Sequence, residues 1–114
     1  MITIYHNPRC SKSREALKII EEKGHTPNIV LYLENPISRD QLATLIQDAG
    51  LAVKQAIRTN EAIYKELNLG AADVSDEQLL DAMVKHPRLI NRPFVVTDKG
   101  TRLCRPGTEV EAIL

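Results

Sequence analysis

What this sequence lacks narrows the field first. No charge of one sign predominates: fifteen Lys and Arg balance fifteen Asp and Glu. There is then no global field to hold nucleic acid or an anionic membrane, and any anion must be bound locally. No apolar run exceeds a few residues, which argues against a membrane span. The N-terminus has neither the charged and apolar regions nor the cleavage site of a secretory signal. Only two cysteines occur, Cys10 and Cys104, a usage that fits a reducing compartment where thiols serve chemistry or packing. Repeats and low-complexity stretches are also missing. The expectation is a cytoplasmic protein with one domain over residues 1–114, large enough for a single core.

What is present reads as alternating strand and helix. The β-branched and aromatic "ITIYH" at 2–6 runs into Asn7-Pro8, a turn signal. From Ser11 to Lys23, Ala16, Leu17, Ile19 and Ile20 repeat at helical spacing before Gly24. "NIVLYL" at 28–33 suggests an interior parallel strand covered on both faces. A right-handed β-α-β unit follows. Ser38 with Gln41 and Ser75 with Gln78 have capping-box spacing, ahead of the apolar faces Leu42, Leu45, Ile46, Ala49 and Leu79, Leu80, Met83, Val84. Shorter helices are expected at 52–58 and 61–69, the second opened by Asn60, and His86-Pro87 closes the last helix of this group. "PFVVTD" and "TRLCR" form a hairpin through Lys99-Gly100, and Thr108 with Glu111 would cap a final helix. The order is that of an α/β thioredoxin-like fold: a mixed four-stranded sheet flanked by helices, with a helical insertion at about 38–86 between strands 2 and 3.

The strand-to-helix turn "HNPRCSKSR" at 6–14 carries the chemistry. A cysteine at a helix N-terminus lies near the positive end of the macrodipole and beside N–H groups without intrahelical partners. Both favour thiolate, and such placements lower a thiol pKa from about 8.5 into a range of roughly 3.5 to 7.5. His6, Arg9, Lys12 and Arg14 add local positive charge, and the same N–H groups could cradle an oxyanion. The alternative for Cys10 is a small half-buried residue at a helix start. Cys104, in the alternating "TRLCR", reads as core packing, with a redox role as the alternative.

Missing partners restrict the reaction. A dithiol Cys-x-x-Cys pair would need cysteine at position 13, which is Ser13; a phosphatase loop would need arginine at position 16, which is Ala16. Two cysteines and three scattered histidines offer no zinc-ligand spacing, so no metal is expected. Among eight arginines, Arg58 ends the apolar "LAVKQAIR", while Arg92 and Arg105 each precede a proline at an element end. Converging on one rim of the sheet, such forks could hold a dianion that a thiolate alone would repel.

"ITIYHNPRCSKSR", "LYLENPISRDQL", "AIRTNE", "HPRLINRPFVV" and "GTRLCRP" together resemble the glutathione- and glutaredoxin-linked arsenate reductases built on the thioredoxin fold, over essentially the whole chain. That resemblance implies Cys10 as catalytic nucleophile and Arg58, Arg92 and Arg105 as oxyanion-binding arginines. It further implies that His6 helps the cysteine ionise, that Ser11, Lys12, Ser13 and Arg14 form the oxyanion loop, and that Pro93 follows a cis bond facing the site. Arsenate would be attacked by Cys10, glutathione would serve as co-substrate, and a glutaredoxin would remove it as a mixed disulfide. No metal, organic cofactor, nucleic acid or membrane is called for, and a monomer is the default. Plasmid-type members carry Gly-Thr after the cysteine where this chain has Ser11-Lys12, a change that bears on oxyanion binding or selectivity. Two other readings use the same turn: a glutathione-dependent thiol transferase, and a non-enzymatic regulator of the Spx type that binds RNA polymerase. The missing second cysteine at position 13 counts against a redox-switched regulator.

Overall fold

The computed structural model describes all residues from Met1 to Leu114, divided between two units: Met1–Asn35 with Arg92–Leu114, and Pro36–Asn91. The first unit holds the whole sheet. Strand β1 (Thr3–Tyr5) leads through the cysteine turn to helix α1 (Ser11–Glu22) and strand β2 (Asn28–Val30). The chain returns as the hairpin β3 (Phe94–Thr97) and β4 (Gly100–Leu103), then closes with a 3-10 helix at Gly107–Ile113. The strand order is β2-β1-β3-β4. β1 runs parallel to β2 and antiparallel to β3, which is antiparallel to β4. The core joins Ile4, Val95 and Cys104 to Ala16 and Ile20 of α1 and to Val110 and Ile113 of the 3-10 helix.

Gly107 makes that last packing possible. A Cβ there would fall 2.8 Å from the backbone nitrogen of Ala16 and 2.8 Å from Cβ of Glu15. Only a residue without a side chain lets the 3-10 helix approach α1 so closely.

Several local expectations are corrected. β2 is an edge strand, not an interior one. Its Ile29 is 44% exposed, and the apolar run breaks after Val30 into a turn closed by Glu34 and Asn35 N–H groups donating to Leu31 O. Continuity of apolar residues does not distinguish a buried strand from an edge strand followed by one buried anchor, here Tyr32. The hairpin loop is Asp98-Lys99, because Gly100, at φ +145°, already pairs with Thr97. The terminal helix is 3-10 and starts after Pro106 without a side-chain cap. Thr108 therefore lies inside it, and its spacing to Glu111 is coincidental.

In the second unit the helices are α2 (Arg39–Asp48), α3 (Ala62–Glu66) and α4 (Asp76–Lys85), with 3-10 turns at Val53–Gln55 and Pro87–Leu89. The boxes at Ser38/Gln41 and Ser75/Gln78 form as expected. The region 52–58 holds one 3-10 turn instead of a helix, since Ile57 bridges Ile90 and the Arg58 N–H donates to Leu89 O. Glu61, not Asn60, stands at the start of α3, and it provides no side-chain cap.

Candidate active site

Sheet register gathers the candidate site at one end of the first unit. Tyr5, the last residue of β1, pairs with Phe94, the first of β3, which pairs with Leu103, the last of β4. The turn after β1, the two residues before β3 and the two after β4 therefore share that end. They carry Cys10, Arg92 and Arg105. Both arginines precede cis prolines, Pro93 and Pro106; the bond at Pro106 had no forewarning in the sequence beyond Arg-Pro itself.

Cys10 is the N-cap residue of α1, with extended backbone at φ −94° and ψ 122°. Its N–H donates to Asn7 O at 3.0 Å, and its carbonyl accepts the Arg14 N–H at 3.0 Å. The residue is only 8% exposed. Arg105 Nη1 stands 3.7 Å from Cys10 Sγ and donates to the Arg92 carbonyl at 2.8 Å, so one guanidinium ties the thiol to the backbone beside Pro93.

Burial is the largest single influence on the Cys10 thiol and pushes its pKa up. The Ser13 N–H, the Arg92 charge, the Lys12 N–H and the Arg105 hydrogen bond all act the other way, and together they hold the pKa below its ordinary value. Two backbone donors at a helix start and two arginines thus outweigh desolvation.

The His6 ring is engaged by Ser13. Its Nδ1 lies 2.6 Å from Ser13 Oγ, and burial, reinforced by Arg14 and opposed by Glu21, lowers its pKa. Burial thus disfavours the charged ring, while the Ser13 and Lys12 N–H groups with Arg92 and Arg105 favour the thiolate. The Ser13 hydroxyl is fully buried and accepts the Asn7 N–H at 3.0 Å. Its proton is then available to His6, while its backbone N–H serves Cys10. Asn7 went unnoticed in the sequence except as a turn former; its Oδ1 accepts the Arg9 N–H at 3.0 Å.

The remaining candidates separate. Arg14 donates to Pro8 O at 2.9 Å and braces the turn from outside. Ser11 and Lys12 line an open cleft of about 280 Å³ with Glu15 and Pro106. Arg58 belongs to the second unit, where its Nη1 lies 3.6 Å from Glu61 Oε1 and donates to Arg88 O at 3.4 Å; Arg88 Nε approaches the same carboxylate at 3.5 Å. Cys104 is fully buried, and burial pushes its thiol up to about 12, which fits packing and not reactivity. No group of three or more His, Cys, Asp or Glu is placed to hold a metal ion.

A family model described as the ArsC family matches residues 5–113. The chain belongs to the ArsC family. It is 53% identical to an arsenate reductase of Escherichia coli over 113 residues, covering 99% of this chain and 80% of that protein. Identity to an arsenate reductase of Rhizobium meliloti (strain 1021) is 55%, over 99% of this chain and 81% of the relative. The solved structure of an arsenate reductase from Vibrio cholerae is 46% identical and superposes with a TM-score of 0.95, covering 99% of this chain and 97% of that one. In this ArsC-family chain the mixed sheet with its helices is the thioredoxin-like fold that the element order implied.

Proposed function

We propose that this chain reduces arsenate to arsenite with Cys10 as its only reacting thiol. The observation that carries the reading is the Arg105 guanidinium against the sulfur of a lowered-pKa cysteine at a helix start, in a chain that is half identical to arsenate reductases over nearly its full length. The Cys10 thiolate attacks arsenic, forming an As–S bond as one oxygen leaves as water. Arg92 and Arg105 neutralise charge that moves onto the oxygens as sulfur attacks. Arg58 is assigned to the same anion by resemblance alone.

Ser13 leaves no second thiol in the turn, so the electrons come from outside. Glutathione displaces a second oxygen as water, giving arsenic bonded to two sulfurs. A glutaredoxin thiolate then attacks the glutathione sulfur and forms a mixed disulfide. The As–S pair stays on arsenic, which becomes As(III), and water releases it from Cys10 as arsenite. One chain supplies Cys10, Arg92 and Arg105, so a monomer suffices. A reducing compartment such as the cytoplasm suits this chemistry, since both cysteines are free thiols and the reductant is itself a thiol.

The test is arsenate-dependent NADPH oxidation coupled through glutathione, glutaredoxin and glutathione reductase. Cys10→Ser should lose activity by more than about a thousandfold, as expected for removal of a nucleophile, with an unchanged fold by circular dichroism. Turnover surviving in that variant would remove Cys10 from the reaction. Turnover of a disulfide with none of arsenate would favour the thiol transferase.

A further inference from the structure

We propose that Asn7 is a positioning residue that sets the reactivity of Cys10 by holding the strand-to-helix turn closed. Three of its groups are committed to that turn. Its carbonyl accepts the Cys10 N–H at 3.0 Å, closing a four-residue turn with Pro8 in the second position, where its fixed φ is favourable. Its Oδ1 accepts the Arg9 N–H at 3.0 Å, the side-chain mimic of a backbone turn that asparagine forms readily. Its own N–H donates to the buried Ser13 Oγ at 3.0 Å. One residue therefore links the exit of β1, the peptide before the cysteine and the third residue of α1. It is itself only 8% exposed, so water cannot easily replace these bonds.

The consequence reaches the sulfur through geometry. Lys12 and Ser13 direct their N–H groups at Cys10 Sγ, which requires that the cysteine stay at the N-cap while the first helical turn stays in place. Asn7 fixes both ends: Cys10 through its carbonyl, and Ser13 through its N–H. Without the side-chain oxygen, the Arg9 N–H loses its partner and the 7–10 turn loosens. The sulfur then spends less time within reach of the two donors and of Arg105. Asn7 touches no reacting atom, so its effect is one of placement.

This inference rests on Cys10 being the reacting thiol, but its test needs no arsenate. The thiolate is titrated by its ultraviolet absorbance and by the pH dependence of iodoacetamide alkylation at Cys10, in a Cys104→Ala background. Asn7→Ala should move the Cys10 titration to higher pH and slow alkylation near pH 7 by about three- to tenfold. Asn7→Ser, whose hydroxyl can accept the Arg9 N–H in a weaker version of the same turn, should lie between Ala and wild type. In the coupled assay kcat should fall in the same order. A titration unmoved in both variants, even with a lower melting temperature, would reduce Asn7 to a structural residue and overturn the proposal. If Asn7→Ala fails to fold, the Ser variant decides alone: an unmoved titration sinks the proposal and a shifted one upholds it. Absence of arsenate turnover in the wild type would count against the reductase and leave this thiol readout intact.

Discussion

The two units of this chain are held by different kinds of information. In the helical unit, the helix starts are set by groups a few residues apart, although Arg39 with Glu77 and Asp81, and Ile57 with Ile90, join distant segments. Ser38 and Gln41, and again Ser75 and Gln78, exchange side-chain and backbone hydrogen bonds across each helix start, and Leu42, Leu45 and Ile46, or Leu79, Leu80 and Met83, form the buried stripes. In the sheet unit, the decisive contact joins residues 95 apart, Arg105 and Cys10. The helix starts of the helical unit are therefore set by local chemistry, while the thiol depends on strand register over the length of the chain as well as on its own turn. Perturbations around the thiol, whether of register or of the 7–13 turn, should change chemistry, and perturbations of the helix starts in the helical unit should change only stability.

After loss of Cys10 itself, the largest effects fall at the arginines. Arg105→Lys replaces a rigid guanidinium, whose Nη1 reaches both Sγ and the Arg92 carbonyl, with a shorter, flexible ammonium that is not held in that geometry. It should lower kcat/KM for arsenate by about 10- to 1000-fold and shift the Cys10 titration to higher pH. Arg92→Lys keeps the nearby charge, so the titration should barely move while kcat/KM still falls at least about tenfold. Identical thiol titrations in the two variants would show that the 3.7 Å contact contributes nothing to the thiolate.

Gly107→Ala tests the same long-range dependence through packing. The added carbon cannot avoid the Ala16 backbone, so α1 and the 3-10 helix must part. A cost of about 1–3 kcal/mol is expected, read as a melting temperature lower by several degrees, together with weaker arsenate turnover because α1 carries Cys10 at its start. The expected loss of stability with unchanged kcat would separate the helix position from the thiol.

The division also explains what could be read from the sequence. Both capping boxes, the span of α1 and the turn at Asn7-Pro8 were legible because each is set by neighbours in the chain. The rank of β2 within the sheet was not, since "NIVLYL" carries no mark of what lies on its far side. Nor was the end of the hairpin, because Gly100 belongs equally to a turn or to a strand start at positive φ. At the site, Cys10 could be suspected from its place before a helix. The approach of Arg105 to it is a matter of register, which resemblance to a family anticipated and spacing did not. At His6, proximity in sequence suggested a charge for Cys10, whereas the ring is engaged by Ser13 Oγ and burial lowers its pKa.

The two cysteines of the sheet unit should respond to pH with opposite sign. For Cys104 the folded pKa, about 12, lies above the unfolded value of about 8.5. Below that value both states keep the proton and its contribution is fully present. As pH rises from about 9 towards 12 the unfolded chain ionises and the folded one does not, so stability falls through that window. Cys10, with its folded pKa lowered, adds stability above the ordinary thiol value and loses it as pH falls through the folded pKa. Denaturant melts from pH 8 to 11 should show the decline, and Cys104→Ala should flatten it while costing about 1 kcal/mol of packing at pH 7 and leaving arsenate turnover unchanged. A slope that persists in Cys104→Ala would assign the decline to other groups.

The smallest expected effect gives the cleanest control. Ser75 Oγ accepts the Gln78 N–H at 3.2 Å, and Gln78 Oε1 accepts the Ser75 N–H at 2.8 Å. Ser75→Ala deletes the first bond and leaves α4 with an exposed N–H that water can satisfy. The loss should be about 1 kcal/mol, seen as a melting temperature a few degrees lower. The Cys10 titration should be superimposable on wild type, because the only contacts removed lie within four residues of one another in the helical unit. A shift in that titration would mean that local order in one unit is felt by the thiol in the other, and the separation between chemistry and stability would fail at its weakest test.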